Sequence, residues 1–536
     1  MARASSPPPI RRRKSEPVAA GRRMNLHKAT TTIGGLTMIS RIAGFAREML
    51  MARVLGAGFY TDAFYVAFRL PNTFRRLFGE GAFSAGFVPL YSQRLQSGGE
   101  GEARKFSEEV FAVFLPTLIL FTLIFIVFMK PFVWAITGWH GDQLAFGTLL
   151  TRITFPYLLL ISLVSLYSGI LNSISRFTAA AFAPALLNLA MLSALILVRD
   201  GGPATATAVA VGVTAGGVLQ LGLLLAACKR AGIVLKMRRP RLTPGVRQFI
   251  RVVLPATLGA GVYQVSVFID TFFLARIGTG AVSWFNYADR LNQLPLGVIG
   301  AAIGTAILPQ VSRHVDANEA DKAARVQGQA AELAMFLCLP AALALAAAAL
   351  PLVSAIFEAG RFNARDAHYT ALTLSIIALG LPAYVLVKVL TPGFYARRDT
   401  ATPVKIAVAV LIANIILNFA LIPPFGIGGL AAAVVISSWL NCTILYVILH
   451  RRGHFRIEGW LASRVARQLI AGLAMVAALV AIRTLLSGWF VGSLGHRLAG
   501  VIAVVGGGML VYFPLVWVLG GTDKEGFKSL LRRGRP

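Results

Sequence analysis

The sequence predicts an all-α, polytopic membrane protein with about 14 transmembrane helices, in two parallel-repeat six-helix lobes plus two C-terminal helices. Three observations predict this fold class. Of the 536 residues, 56% are hydrophobic and 14% are charged, whereas soluble domains carry roughly 25% charged residues. The hydrophobic residues form runs long enough to cross a ~30 Å hydrocarbon core as helices, which satisfy their own backbone hydrogen bonds. Two halves of the chain also share a series of short motifs.

The apolar runs divide the chain into fourteen predicted spans. Each offers the roughly 20 predominantly apolar residues that a membrane-crossing helix needs. Spans 1, 2 and 8 are the least apolar. The spans cover residues 30–55, 60–92, 108–136, 145–172, 178–198, 203–228, 246–276, 281–312, 327–357, 367–394, 403–421, 427–450, 465–485 and 497–520.

Basic residues alternate between the two sides of these spans. With the N-terminus inside, 36 of the 52 Lys and Arg fall in the tails and loops assigned to the cytoplasm, and 6 fall in the outward loops and helix ends. Cytoplasmic loops of membrane proteins are enriched in Lys and Arg, so this split predicts that both termini are cytoplasmic. The net charge of +30 therefore reflects membrane topology, and we predict no nucleic-acid partner because no nucleic-acid-reading motif accompanies it.

The internal repeat predicts the domain organisation. Arg53, Arg69 and Pro89 have counterparts in Arg276, Arg290 and Pro309 at nearly constant offsets. Parallel repeats of this kind suit alternating access, in which one lobe rocks against the other around a site between them. The predicted division is a disordered basic cytoplasmic tail at 1–23, an N-lobe at 24–230, a basic linker at 231–245, a C-lobe at 246–450, helices 13 and 14 within 451–522, and a basic tail at 523–536; a start at Met24 is an alternative to Met1.

Ten cations lie inside the predicted spans, where each costs about 2.5 to 3.5 kcal/mol at the centre of a helix on the insertion scale. The five acids within the spans cannot neutralise them all, so the excess predicts an anionic ligand. A guanidinium binds phosphate oxygens in a bidentate manner. Structural pairing is the alternative for each of the cations to which we assign substrate contact, which are Arg41, Arg47, Arg75 and Arg290.

Acidic side chains offer structural partners for some of the cations. Arg76 and Glu80 are four residues apart, and Asp62 precedes Arg69 by one heptad, so ion pairs along one helix face are predicted there. The predicted supporting acids are Asp62, Glu80 and Asp289, and the candidates for gating or for lining a cavity are Glu48, Arg76 and Lys388.

Glycine and proline are predicted to break the second helix of each lobe. Gly79, Gly81 and Gly86 lie within span 2, and Pro295 and Gly297 lie within span 8. Proline removes a backbone hydrogen bond from a helix, so a bend is expected at these positions. A bent second helix is what a moving gate requires, and close helix packing at glycine is the alternative.

One acid and two amides form a candidate sodium site. Asp270 is the only acid of span 7, and Asn414 and Asn418 lie on one face of span 11. Oxygen ligands of this kind suit a hard cation such as sodium. Asparagine pairs in membrane helices also join neighbouring helices by hydrogen bonds, which is the alternative interpretation.

The sequence contains no sign of an enzyme. There is no H-E-x-x-H, G-x-S-x-G or Walker A motif, so no catalytic residue and no cofactor is predicted. The three cysteines lack the spacing of a zinc site. We expect transport to draw on a sodium gradient or on the membrane potential.

Several long motifs identify a family. They are Ser40-Arg41-Ile42-Ala43-Gly44-Phe45-Ala46-Arg47, Thr61-Asp62-Ala63-Phe64, Arg75-Arg76-Leu77-Phe78, Glu80-Gly81-Ala82-Phe83-Ser84, Tyr287-Ala288-Asp289-Arg290-Leu291 and Lys388-Val389-Leu390-Thr391-Pro392-Gly393-Phe394-Tyr395. These strings closely resemble the MurJ (MviN) family of lipid II flippases, in the superfamily that also contains multidrug and polysaccharide exporters. The resemblance runs from Met24 to near the C-terminus.

The resemblance implies a function as well as a fold. It implies a bacterial inner-membrane protein whose two lobes enclose a cationic cavity. That cavity takes the undecaprenyl-pyrophosphate-linked disaccharide pentapeptide from the cytoplasmic to the periplasmic leaflet, with association with wall-synthesis proteins as an expectation. Helices 13 and 14 are implied to form a groove for the lipid tail. The resemblance places Arg41, Arg47, Arg75 and Arg290 at the family's cavity arginines, Asp62 and Glu80 at its acids, and Asp270, Asn414 and Asn418 where some members bind sodium.

Three other functions remain open at this point. A multidrug antiporter commonly takes organic cations, which an arginine-rich cavity would repel. A flippase for another undecaprenyl-pyrophosphate-linked oligosaccharide would bind the same anion, and only the family motifs argue against it. A non-transporting scaffold for wall synthesis would leave the intramembrane arginines without a purpose.

Overall fold

A computed structural model describes residues 26–75, 82–490 and 494–522, which form eighteen α-helices and one short 3-10 helix, with no strand among them. The helices are α1 (Leu26–Leu55), α2 (Phe59–Arg75), α3 (Ala82–Val127), α4 (Met129–Thr137), α5 (Gly141–Thr154), α6 (Tyr157–Ser173), α7 (Thr178–Leu197), α8 (Pro203–Arg230), α9 (Pro244–Ile277), α10 (Ala281–Asp316), α11 (Ala320–Ala347), α12 (Ala349–Phe357), α13 (Ala364–Ala378), α14 (Leu381–Tyr395), α15 (Ala401–Phe425), α16 (Ile427–Arg451), α17 (Gly459–Leu485) and α18 (Leu494–Leu519).

These helices combine into rods that correspond to the predicted spans. Gly99, at φ 74°, divides α3 into two parts. The second part of α3 continues into α4, and its first part and α2 lie on either side of residues 76–81, which are outside the described residues. The pairs α5–α6, α11–α12 and α13–α14 each form one rod with a short break. With α2 and the first part of α3 counted as one span, the described helices are consistent with the predicted count of fourteen.

The surface of the helices is suited to a lipid environment. In the described part of the chain, 10 helices or helix pairs are long and apolar enough to cross a membrane. Large apolar side chains such as Leu197, Leu510 and Val518 are 76% to 81% exposed. A water-soluble protein rarely exposes extended apolar patches, so these faces contact acyl chains in a multi-pass membrane protein.

The prediction of a break in span 8 is wrong. Helix α10 is continuous from Ala281 to Asp316 and contains both Pro295 and Pro309. Membrane helices tolerate proline because neighbouring groups satisfy the freed carbonyl. In span 2, Gly79 and Gly81 lie outside the described residues, and Gly86 lies within α3.

Helix α9 packs against both halves of the repeat. Its N-terminal part contacts α3, where the Phe249 ring lies 5.3 Å from Phe83 and 6.2 Å from Phe87, measured between ring centroids. Its C-terminal part contacts α15 through Phe273 and Phe419, whose centroids are 5.0 Å apart. Helices α17 and α18 pack on α11 instead, and the Tyr512 hydroxyl donates to the Phe336 carbonyl at 2.9 Å.

Candidate functional site

Glu48 lies at the centre of a charged cluster that joins α1 to α10. Its Oε1 accepts hydrogen bonds from Arg47 Nη2 and, at 2.9 Å, from Arg290 Nη2. The Tyr65 hydroxyl donates to Glu48 Oε2 at 2.5 Å. Arg47 also donates from Nη1 to Asn188 Oδ1 at 2.9 Å. Two guanidinium groups therefore share one carboxylate, and the cluster carries a net charge of +1.

The two arginines of this cluster differ in their accessibility. Arg47 is 5% exposed and Glu48 is 4% exposed, whereas the Arg290 side chain is 37% exposed. A buried charge needs a hydrogen-bonded partner, which Glu48 supplies to Arg47. In this conformation Arg47 is a buried structural cation, and Arg290 can still reach a ligand.

Two further cations lie along the same face of α10. The Arg41 guanidinium lies against Gly297, with Nη1 3.7 Å from where a Cβ would stand, and Lys388 Nζ lies 2.7 Å from the corresponding point at Gly300. Positions 290, 297 and 300 fall on one face of an α-helix, about 15 Å from end to end at 1.5 Å per residue. Arg41, Arg290 and Lys388 thus form a line, which we call the cationic column.

The column carries more positive charge than its surroundings balance. Arg41 and Lys388 are exposed, and neither forms an ion pair or hydrogen bond with any residue that the structure describes. Asp289 lies next to Arg290 in sequence, and its carboxylate accepts from the Gln293 side chain. An anionic ligand at the column would therefore bind two cations that no acid among the described residues already holds.

The remaining predicted arginines lie at the edge of the described residues. Arg75 is the last residue of α2, is partly buried, and donates from Nε to Asn72 Oδ1 at 3.0 Å. Arg76 and Glu80 lie outside the described residues, so the predicted pair between them stays a prediction.

The candidate sodium ligands lie at one level on two packed helices. Phe273 on α9 contacts Phe419 on α15, and Asp270 and Asn418 each lie within one helical turn of these rings. Asp270 Oδ1 and Asn418 Oδ1 are buried and accept no hydrogen bond from any described residue. The Asn418 amide donates to Asn414 Oδ1 at 3.1 Å. Buried carboxylate and amide oxygens are of the type that a hard cation prefers.

The same carboxylate has competing neighbours. The Arg69 charge attracts the Asp270 carboxylate, and the Asp289 charge repels it. Arg69 donates to Thr271 Oγ1 at 2.6 Å and to Asn286 Oδ1 at 3.0 Å. No group of three or more His, Cys, Asp or Glu that could hold a metal occurs in residues 26–75, 82–490 and 494–522. Any cation at Asp270 would therefore rely on amide ligands and compete with Arg69.

Comparison with known proteins identifies the family. The family model described as "Lipid II flippase MurJ" matches residues 51–500. A probable lipid II flippase MurJ of Rhizobium tropici is 40% identical over 526 residues, covering 96% of this chain and 98% of the relative. The lipid II flippase MurJ of Burkholderia cenocepacia is 38% identical, covering 93% and 98%. The chain belongs to the MurJ family of lipid II flippases.

Solved structures support the MurJ fold. A lipid II flippase MurJ in an inward closed conformation aligns with a TM-score of 0.76 at 23% identity, covering 91% of this chain and 98% of that chain. A multidrug resistance MATE transporter in an inward-facing conformation aligns with a TM-score of 0.62 at 14% identity, covering 79% and 97%. Members of the MurJ family are transporters, so the expectation of a non-enzymatic protein is confirmed.

Asp62 has a different role from the one predicted for it. Its carboxylate accepts hydrogen bonds from Gly280 N at 2.6 Å, from Ser283 N at 2.9 Å and from Ser283 Oγ at 2.5 Å. These donors lie at the N-terminus of α10, where backbone N–H groups have no partner within the helix and favour a negative charge. Asp62 therefore caps the first helix turn of the opposite lobe, and the predicted Asp62–Arg69 ion pair is wrong.

Sequence reasoning missed a second contact between the lobes at the same end. Arg361 N donates to the Arg53 carbonyl at 2.9 Å. The Arg361 guanidinium donates to the Gly201 carbonyl at 2.6 Å and to the Asp200 carbonyl at 2.8 Å. We call Arg361 and these three acceptors the outer latch. The only sequence signal was Arg361 itself, one of two arginines in the predicted outward loop at 358–366.

Two features support the geometry of the outer latch. Gly56 and Gly360 both have positive φ, and a Cβ at Gly56 would lie 2.7 Å from the Arg361 carbonyl oxygen. Only glycine fits such a position. Hydrogen bonds to Asp200, first from the Thr205 hydroxyl and then from Gly202 N, hold its pKa below the usual range. Asp200 therefore stays ionised at neutral pH and keeps the hydrogen bonds that fix the loop carrying the acceptor carbonyls.

Proposed function

We propose that this protein moves lipid II from the cytoplasmic to the periplasmic leaflet of the bacterial inner membrane by alternating access. The observation that supports the proposal is the cationic column, in which Arg290 stays accessible and neither Arg41 nor Lys388 has an ionic partner among the described residues. A pyrophosphate offers several acceptor oxygens, and guanidinium groups bind such oxygens in pairs. Membership of the MurJ family gives the class of substrate.

The column lies at the depth that a substrate entering from the inner leaflet would reach. Counted from Ala281 at the outer end of α10, Arg290 is about 14 Å along the helix and Gly300 is about 29 Å along it, at 1.5 Å per residue. The outer ends of the lobes are joined by Asp62 and by the outer latch. The column therefore extends from the middle of the membrane toward its inner boundary, on the inner side of a closed outer gate.

Charge exchange gives a mechanism for loading. Without a ligand, Arg290 forms an ion pair with Glu48, which also neutralises the buried Arg47. A bound pyrophosphate competes with Glu48 for Arg290 while Arg41 supplies a second guanidinium. Binding then weakens the tie between α1 and α10, which belong to different lobes. Substrate binding thereby favours rearrangement of the lobes, because a ligand shifts a conformational equilibrium by its differential affinity.

The rest of the topology is proposed on the same basis. Both termini lie in the cytoplasm, because the basic loops lie on that side. The two lobes are α1–α8 and α9–α16, and α17 and α18 form the surface for the undecaprenyl chain. The exposed apolar side chains of α18, including Leu510 at 76% exposure, suit an acyl contact. Association with wall-synthesis proteins is part of the proposal.

Depletion of the protein in its own host tests the proposed substrate. We expect lipid II to accumulate in the inner leaflet, protected from an externally added enzyme that cleaves periplasmic lipid II. Accumulation of another undecaprenyl-pyrophosphate-linked oligosaccharide, with normal lipid II export, would instead identify a related flippase. Normal export of both lipids would leave the protein without a flippase role.

Loss of the outer latch is expected to open the periplasmic side. Arg361→Ala removes two charge-assisted hydrogen bonds, each worth about 1.5 to 3 kcal/mol. A cysteine placed at Ala281, which is fully buried beside Asp62, should then react at least about tenfold faster with an impermeant maleimide. Arg365→Ala is the matched control, because Arg365 lies over the Tyr369 ring and outside the latch. Equal labelling rates in both variants would rule out a latch function.

Sodium binding at Asp270 has a test that does not depend on flipping. We propose Asp270, Asn414 and Asn418 as the ligands, supported by the two unsatisfied oxygens. A cation that binds only the folded state stabilises it, by ~2.7 kcal/mol at a hundredfold excess over its Kd. Sodium, compared with potassium, should therefore raise the unfolding temperature of the wild type and leave Asp270→Asn unchanged. If sodium has no specific effect on the wild type, the site should be dropped and the membrane potential kept as the driving force.

A further inference from the structure

The segment between α8 and α9 is an extended strap fixed along α3. Residues 233–243 form no helix or strand. The buried Glu108 carboxylate accepts from Arg238 Nε at 2.7 Å and from Lys236 N at 3.2 Å. Glu109 accepts from the Thr243 hydroxyl at 2.7 Å. The strap therefore has a defined path and a defined outward face, although it lacks regular secondary structure.

The outward face of the strap alternates cations with apolar side chains. Val234, Met237 and Leu242 are 50% to 56% exposed. The side chains of Lys236, Arg239 and Arg241 are exposed as well, and none forms an ion pair with a residue in the described part of the chain. Ile233 and Leu235 point the other way and pack on the protein core. The exposed apolar side chains are therefore not needed to hold the strap in place.

The strap lies at the depth of the lipid headgroups. Glu108 is 29 residues before Thr137, the outer end of its rod, which is about 43 Å at 1.5 Å per residue. Helix α8 runs from Pro203 to Arg230. Its C-terminal end, where the linker starts, is therefore about 40 Å from Pro203 at 1.5 Å per residue. A bilayer including headgroups is ~40–45 Å thick. Both estimates therefore place the strap at the boundary between acyl chains and water.

From this placement we infer that the strap is a binding surface for the headgroups of anionic phospholipids. The apolar side chains enter the headgroup boundary, as in interfacial segments, and the three unpaired cations contact lipid phosphates. Basic residues beside a membrane favour anionic lipids. An acidic soluble protein would satisfy the charges but would leave Val234, Met237 and Leu242 in water, so a lipid surface fits better. The leaflet concerned is the cytoplasmic one under the proposed orientation.

The test uses the full chain in nanodiscs with an environment-sensitive fluorophore on Met237→Cys. In discs of phosphatidylglycerol and phosphatidylcholine, we expect blue-shifted emission that increases with the phosphatidylglycerol fraction. Lys236→Gln, Arg239→Gln and Arg241→Gln together should weaken this response, because each cation removed lowers the affinity for anionic headgroups by about fivefold. The native cysteines are buried, which limits background labelling.

A second triple variant provides the matched control. Arg313, Arg325 and Arg456 are exposed cations in other segments of the chain that we assign to the same side of the membrane. Their replacement by Gln should leave the emission response unchanged. Equal losses in both triple variants would indicate general surface charge and would overturn the inference. A label that stays in water at every phosphatidylglycerol fraction would also overturn it, whether or not the protein flips lipid II.

Discussion

Arg290→Gln and Arg41→Gln are each expected to abolish lipid II flipping in reconstituted vesicles while the protein remains folded and inserted. Each change removes a guanidinium that the pyrophosphate needs. A hydrogen bond to a charged group is worth about 1.5 to 3 kcal/mol, and the loss of two such bonds at one guanidinium lowers a rate by a hundredfold or more. Arg290→Gln leaves the buried Arg47–Glu48 pair intact, so the fold should tolerate it.

Arg152→Gln is the matched control for this pair of variants. Arg152 is an exposed cation in a predicted span, but its Nε donates to the Ile126 carbonyl and it lies outside the cationic column. Its replacement should leave the flipping rate within about twofold of the wild type. If Arg41→Gln flips lipid II as fast as Arg152→Gln does, the column does not bind the substrate.

Glu48→Ala is expected to destabilise the protein more than any column variant. The change leaves Arg47, which is 5% exposed, without a carboxylate. Breaking a buried ion pair by removal of one partner costs about 3 to 5 kcal/mol. The unfolding temperature in detergent should fall clearly below those of the wild type and of Arg290→Gln.

A double variant separates the buried charge from the loss of the side chain. Arg47→Leu combined with Glu48→Leu removes both charges, and apolar replacement of a buried pair is often neutral or stabilising. We expect the double variant to regain most of the stability that Glu48→Ala loses. A double variant that is as unstable as Glu48→Ala would show that packing, and not the unpaired Arg47 charge, explains the effect.

Most of the fold could be predicted from the sequence because membrane helices must satisfy their backbone internally. The length of each apolar run and the alternation of basic loops thus predict the number and positions of the helices. The predicted span 178–198 and the helix Thr178–Leu197 differ by one residue at the end. The exception was α10, where Pro295 and Gly297 suggested a break, yet the helix is continuous. Neighbouring groups decide whether a proline interrupts a membrane helix, and the sequence of that helix alone does not contain this information.

The sequence predicts the residue types of the candidate site better than it predicts which side chains form ion pairs or hydrogen bonds with each other. An excess of arginine over acid indicates an anion site, but it does not tell which arginine is buried. Arg47 and Arg290 have similar sequence surroundings, each beside an acid, and yet only Arg290 stays accessible. Asp62 caps a helix 218 residues away in sequence, and Arg361 binds backbone carbonyls. Contacts with backbone groups leave no pattern of charged partners for sequence reasoning to detect.

The most direct test of the central claim is the equilibrium binding of lipid II and of undecaprenol, which lacks the pyrophosphate and the sugars. Binding is compared in wild-type protein and in Arg41→Gln. The wild type should prefer lipid II strongly, and the variant should lose at least about tenfold of that preference while its affinity for undecaprenol stays the same. If the variant keeps the full preference for lipid II, the Arg41 guanidinium does not recognise the headgroup, and the proposed site is wrong.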